Sequence, residues 1–77
     1  MGLRSIIKAS VSQGDDGLYV AECLEIPVVT QGRTIDETVS NLKEAVSLHL
    51  EDEDLAALGF TEHPVVLVTM EIEPAVA

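Results

Sequence analysis

The chain has 77 residues, 47% of them apolar, and a formal net charge of −10 from 14 acidic and 4 basic side chains. This length is that of a single domain, and so acidic a surface repels phosphates, which argues against direct nucleic-acid binding. The single cysteine excludes an intrachain disulfide, and no apolar run approaches the roughly 20 residues of a membrane-spanning helix, so we expect one cytoplasmic domain over residues 1–77.

Three segments with the character of β-strands come first, and turn residues separate them. They cover residues 3–12, 18–24 and 28–31. In the first segment Ile7, Ala9 and Val11 alternate with polar residues, which is the pattern of a half-buried strand. Glycines and aspartates over 13–17 predict a hairpin turn, and Pro27, which has no N–H to donate, interrupts the chain before the third strand. We expect an antiparallel meander.

A capping box predicts where the main helix begins. The Thr34 hydroxyl can accept from the Glu37 amide while the Glu37 carboxylate returns to the Thr34 N–H. A helical stripe with three- and four-residue spacing follows. Its members are Ile35, Val39, Leu42, Val46, His49 and Leu50. The acidic run 51–54 meets the negative end of the helix dipole, so we expect the helix to end near 51–52, with one further turn that Gly59 stops.

Pro64 is expected to open the last strand, which covers residues 65–73 and ends before Pro74. Because a helix separates this strand from the meander, it should lie parallel to the first strand, whose other side is free. The order β-β-β-α-β predicts an α+β fold of two layers, a four-stranded sheet with one main helix packed on one face. The other face is either solvated or used by a partner.

The sequence offers no group of side chains suited to catalysis or metal binding. His49, His63 and Cys23 lie far apart in the sequence, whereas a structural zinc site needs four ligands at short spacing. The element order is similar to the first half of ribonuclease H folds, but the first strand lacks the carboxylate that their two-metal site requires. Cys23 has no neighbouring cation to lower its pKa, which predicts a small buried apolar residue. We expect no enzymatic activity, no cofactor and no metal.

Four segments together resemble the HicB antitoxin family. They are Gly17-Leu18-Tyr19-Val20-Ala21-Glu22-Cys23, Val29-Thr30-Gln31-Gly32, Thr34-Ile35-Asp36-Glu37 and Asn41-Leu42-Lys43-Glu44-Ala45. The family pattern has an aromatic-Val-Ala strand, a Thr/Ser-Gln-Gly-x-Thr turn and a helix with Glu-Ala-x-x-Asn-x-x-Glu-Ala. This chain departs from it by lacking the Leu-Pro-Gly-Cys that many members have before the third strand, and by Thr38 in place of the usual Ala. The resemblance covers residues 5–50 and implies a partial ribonuclease-H-like, HicB-like sheet.

The resemblance also implies a partner. HicB-type domains bind a small basic HicA toxin, an RNA-cleaving protein, and block its RNA surface. Full antitoxins of the family usually continue into a DNA-binding domain, so this chain is similar to the stand-alone form. An anionic surface complements a cationic partner, although acidity also serves simply to keep a small protein soluble. From charge alone, the candidate partner-binding residues are Glu22, Glu25, Glu51 and Asp52.

A second hypothesis is a homo-oligomeric HicB-like domain with a structural or small-molecule-binding role. A chain of this size buries only about 60% of its unfolded surface, so its stability margin is thin. An exposed apolar sheet face or a long edge strand would gain from being covered by a second copy. The sequence therefore also predicts a homodimer or higher homo-oligomer.

Overall fold

The computed structural model describes residues 3–51 and 53–71, which form four strands and one helix. The elements are β1 (Arg4–Gln13), β2 (Tyr19–Cys23), β3 (Val29–Gly32), α1 (Ile35–Leu50) and β4 (Phe60–Met70). The predicted α+β architecture and its element order are confirmed. Within these residues no helix has the length and apolar character needed to cross a bilayer.

The sheet is mixed, with the strand order β3-β2-β1-β4. β1 pairs antiparallel with β2, and β2 pairs antiparallel with β3, which is the predicted meander. β4 pairs parallel with β1, with Ile7 opposite Val66 and Val11 opposite Met70. The predicted return of the chain to the free side of the first strand is therefore confirmed.

The core lies between the sheet and α1 and is almost entirely aliphatic. Its buried members are Ile7, Ala9, Val11, Ala21, Cys23, Ile26, Val28, Leu42, Val46 and Phe60. The alternation of Ile7, Ala9 and Val11 in the sequence matches their burial on the helix side of β1. Ala21 lies beside Val11 and Cys23 beside Ala9, so β2 extends the same apolar face.

The N-terminus of α1 forms as predicted, with one difference. Thr34 is the N-cap, and its Oγ1 accepts a hydrogen bond from the Glu37 N–H at 3.0 Å. The Glu37 carboxylate, however, accepts from the Arg33 N–H at 3.4 Å and not from the Thr34 N–H. The sequence rule places the returning bond one residue too late, because the side chain of Glu37 is long enough to reach the preceding amide.

Gly32, the last residue of β3, lets α1 approach the sheet closely. A Cβ at Gly32 would lie 2.6 Å from Thr38 Oγ1 and 2.7 Å from the Thr38 backbone nitrogen. Thr38 is fully buried in this contact, and its hydroxyl donates to the Thr34 carbonyl at 2.7 Å. Sequence reasoning did not place Thr38 in the core. The start of α1 is consequently held against the β3 edge of the sheet.

A single turn follows α1 and leads into β4. The Phe60 N–H donates to the Leu55 carbonyl at 2.8 Å, and the Gly59 N–H donates to the Ala56 carbonyl at 3.0 Å. Gly59 has a φ of 87°, so the turn ends in the Schellman pattern that favours glycine. The prediction of one turn stopped by Gly59 is confirmed.

β4 begins earlier than the sequence predicts. It starts at Phe60, not at Val65, so Pro64 lies inside the strand and His63 lies on the strand and not in a loop. A register shift in the β1–β4 pairing separates the pair Arg4–Phe60 from the pair Ile6–Val65, which gives the strand room for a proline. The predicted end of the strand near 73–74 lies outside the described residues.

Candidate functional site

A groove runs between α1 and β4 on the helix side of the sheet. α1 lies closest to β3, because Gly32 has no side chain to hold the helix away. The helix therefore covers the helix-side surface of β4 only partly. The groove has a volume of about 650 Å³. Its walls are made of apolar side chains that are buried or half-buried. They are Val39, Leu42, Val46, Leu50, Leu55, Val66 and Val68.

The rim of the groove carries charged and polar side chains that are exposed. Glu51 stands at the C-cap of α1, and Glu62 and His63 stand on the first half of β4. Lys43 lies on the α1 side. The exposed Glu53 and Asp54 follow Glu51 in the chain and add to the negative charge at this end of the helix. The groove therefore has apolar walls and an acidic rim, in which Glu51 and Glu62 outnumber Lys43.

Glu25 has a structural role that the sequence did not indicate. β2 ends at Cys23, and the Leu24 N–H still donates to the Lys8 carbonyl at 2.9 Å. The chain then turns, and Glu25 Oε1 accepts the Lys8 N–H at 2.8 Å, in the place of a strand carbonyl. Arg4 lies 3.8 Å from the other carboxylate oxygen, and the Glu25 side chain is only 11% exposed. Its carboxylate therefore continues the pairing of β1 beyond the end of β2.

The four acids predicted to bind a partner do not form one site. Glu22 is exposed on β2, and its pairing with Ser10 places it on the sheet face that α1 does not cover. Glu51 lies at the rim of the groove, on the opposite side. Asp52 lies outside the described residues. Of the three that the structure describes, Glu51 alone lines the groove.

Glu62 is the rim residue that sequence reasoning missed. The segment before Pro64 was expected to be a loop, so its side chains were not assigned to any surface. The signal was present in Phe60, a large apolar residue directly after the Gly59 stop, which is 3% exposed and pairs with Arg4 of β1. A strand that begins at Phe60 places Glu62 near the C-terminus of α1, on the same groove as Glu51.

The potential metal ligands and nucleophiles of the described residues are dispersed over the fold. Within them, no three His, Cys, Asp or Glu side chains gather as a metal site would require. Cys23 is buried, as predicted, and burial together with the Glu25 carboxylate raises the pKa of its thiol. A thiol with a raised pKa is protonated at neutral pH and is a poor nucleophile.

The chain is similar in sequence to a known protein. A UPF0150 protein of Synechocystis sp. is 35% identical to it over 46 residues, which cover 58% of this chain and 67% of the relative. No family model and no solved structure matches the chain.

Proposed function

The chain belongs to the UPF0150 family of HicB-like small proteins, and on that premise we propose that it is a non-enzymatic, antitoxin-like binding module. Its partner would be a small basic RNA-cleaving protein of the HicA type. The proposal draws on the HicB-like segments of the sequence and on the α+β fold that they form. Neutralisation follows if the module covers the surface with which the toxin holds RNA.

The observation that carries this proposal is the groove between α1 and β4. Its apolar walls provide surface that a partner can bury. Glu51 and Glu62 make its rim negative, which attracts the positively charged surface of an RNA-binding protein. The net charge of −10 extends the same field over the whole chain and steers a cationic partner toward it. A surface built to hold phosphates is therefore complementary to this one.

Charge reversal at the rim tests the proposal with a purified HicA-type toxin from the same genome. We expect Glu51→Lys combined with Glu62→Lys to raise the dissociation constant at least about tenfold, equivalent to about 1.4 kcal/mol, in calorimetric titration. The same variant should restore RNA cleavage by the toxin in a mixed assay. Both side chains are exposed, so the variant should fold as the parent does.

The matched control reverses two acids away from the groove. Glu44 is exposed on α1 and does not line the groove, and Glu22 is exposed on the sheet face that α1 does not cover. Glu44→Lys with Glu22→Lys changes the net charge by the same amount. We expect this control to weaken binding much less than the rim variant. Equal weakening by both pairs would show that only net charge matters, and absence of toxin binding to the parent chain would refute the proposed function.

A further inference from the structure

The outer edge of β4 is the less protected of the two sheet edges. β4 ends the strand order β3-β2-β1-β4, so within the described residues no strand pairs with its outer side. An unpaired edge is a template for another strand, and folded proteins usually protect it by short length, proline, charge or irregular register. The two edges of this sheet differ sharply in such protection.

The β3 edge is short and its outward carbonyl is occupied. β3 has only four residues. The Cys23 N–H donates to the Val28 carbonyl, so the backbone groups of the alternate residues Val29 and Gln31 point away from β2. The Asn41 side chain of α1 donates to the Gln31 carbonyl at 2.8 Å. A new strand would have to displace this hydrogen bond.

The β4 edge has protection in its first half alone. Glu62, Pro64 and the register shift all lie before Val65. From Val65 to Met70 the pairing with β1 is regular, and this segment has no charged residue. Val65 and Leu67 are 60% and 49% exposed on the sheet face that α1 does not cover. Within the described residues, the second half of β4 is thus a regularly paired, uncharged edge that carries none of these forms of protection.

The direction of the backbone groups can be read from the end of the strand. The Glu71 N–H donates to the Val11 carbonyl at 3.0 Å. The backbone N–H and C=O groups of every second β4 residue therefore point toward β1, and those of the residues between them point outward, away from the sheet. The residues whose backbone groups point outward are Val66, Val68 and Met70. Pro64 falls in the same set, which is the position where a strand tolerates a missing N–H.

We propose that two copies of this chain pair antiparallel along the β4 edge, about a two-fold axis at Leu67. In this register Val66 of each copy faces Val68 of the other, and their outward N–H and carbonyl groups exchange hydrogen bonds. Leu67 of one copy faces Leu67 of the other, and Val65 of each copy faces Thr69 of the other. The two four-stranded sheets join into one continuous sheet.

Charge favours a second copy over a basic partner at this edge. The self-pairing places no like charges opposite each other between His63 and Glu71, and it sets His63 of one copy opposite Glu71 of the other at both ends. A basic protein would find no carboxylate along Val65–Met70. The edge is therefore complementary to itself, whereas the acidic groove is complementary to a cation.

Opposite charges at the two-fold axis test the pairing. Sedimentation equilibrium of the full chain should show a dimer, and Leu67→Lys or Leu67→Glu alone should raise its dissociation constant at least about tenfold, because like charges then face each other. Mixing the two variants should restore a dimer containing one copy of each. Leu48→Lys and Leu48→Glu are the controls, since Leu48 is 64% exposed on α1 and should leave the dimer unchanged.

A cysteine at the axis keeps the test decisive should a charged variant fail to fold. Directly opposed residues of a non-hydrogen-bonded antiparallel pair have Cα atoms about 4.5 Å apart, within the range of a disulfide. Leu67→Cys should form an intermolecular disulfide under mild oxidation, and Leu48→Cys should not. A parent chain that is monomeric at all concentrations, or a dimer unaffected at Leu67, would overturn the proposal. Neither result bears on toxin binding at the groove.

Discussion

Gly32 is the residue at which the sheet and the helix come closest. The position of a Cβ there is already occupied by backbone and side-chain atoms of Thr38. Because the backbone of a capped helix cannot easily move away, we expect Gly32→Ala to lower the free energy of unfolding by about 1–3 kcal/mol, the usual cost of overpacking. Urea denaturation followed by circular dichroism measures this.

Gly14→Ala is the matched control for this prediction. A Cβ at Gly14 would meet mainly Asp16 Oδ1, at 3.1 Å, and this side-chain oxygen needs to shift by only a few tenths of an ångström, within reach of its hydrogen bond from the Leu18 N–H. We expect the free energy of unfolding to change by less than about 0.5 kcal/mol there. If both variants lost the same stability, the cause would be glycine replacement in general and not the contact with Thr38.

Contacts within one segment could be predicted from the sequence, whereas contacts between segments could not. The cap at Thr34 was predictable because its hydrogen bond spans three residues of the same chain segment. The burial of Thr38 was not, because it depends on Gly32, which is six residues earlier and in another element. Glu25 was assigned to a partner from its charge, whereas its contacts with Lys8 and Arg4 exist only after β1 and β2 have paired.

At the scale of elements, Glu25 completes the pairing of β1 where β2 ends. Glu25→Ala removes the acceptor of the Lys8 N–H, and we expect the free energy of unfolding to fall by about 1 kcal/mol. The ion pair with Arg4 adds little, because the Arg4 side chain is largely exposed. Glu25→Gln retains an oxygen acceptor and should lose less stability. Urea denaturation of both variants makes the comparison.

Glu22→Ala separates this structural role from a general effect of removing an acid. Glu22 is exposed on the neighbouring strand, so its replacement should change stability by less than about 0.5 kcal/mol. If Glu25→Ala changed stability as little as Glu22→Ala, the hydrogen bond between Glu25 and the Lys8 N–H would contribute nothing to the fold.

The elements themselves were predicted well where the signal was local. β1, β2, β3 and α1 were placed to within about two residues, because alternation, turns and a cap are properties of neighbouring residues. The start of β4 was wrong, because proline is read as a strand breaker while the structure tolerates it at an outward edge position. The groove could not be predicted at all, since it depends on how α1 inclines over the sheet.

At the scale of the whole molecule, β4 separates two surfaces of opposite character. Its helix side forms one wall of the groove with the acidic rim, and its outer edge from Val65 to Met70 is uncharged. Pairing at the edge lies in the plane of the sheet, whereas the groove lies above it. Val66 and Val68 belong to both surfaces, so a dimer would carry two neighbouring grooves, one on each side of the two-fold axis.

The two surfaces should respond to salt with opposite signs. Two copies of net charge −10 repel each other, so screening should tighten the dimer, whereas screening should weaken attraction between the groove and a cationic toxin. We expect this when sodium chloride rises from about 0.1 M to about 1 M, over which the Debye length falls from about 10 Å to about 3 Å. Sedimentation measures the dimer, and calorimetry measures toxin binding. A dimer that weakened with salt would place charged pairs, and not the apolar β4 edge, at its interface.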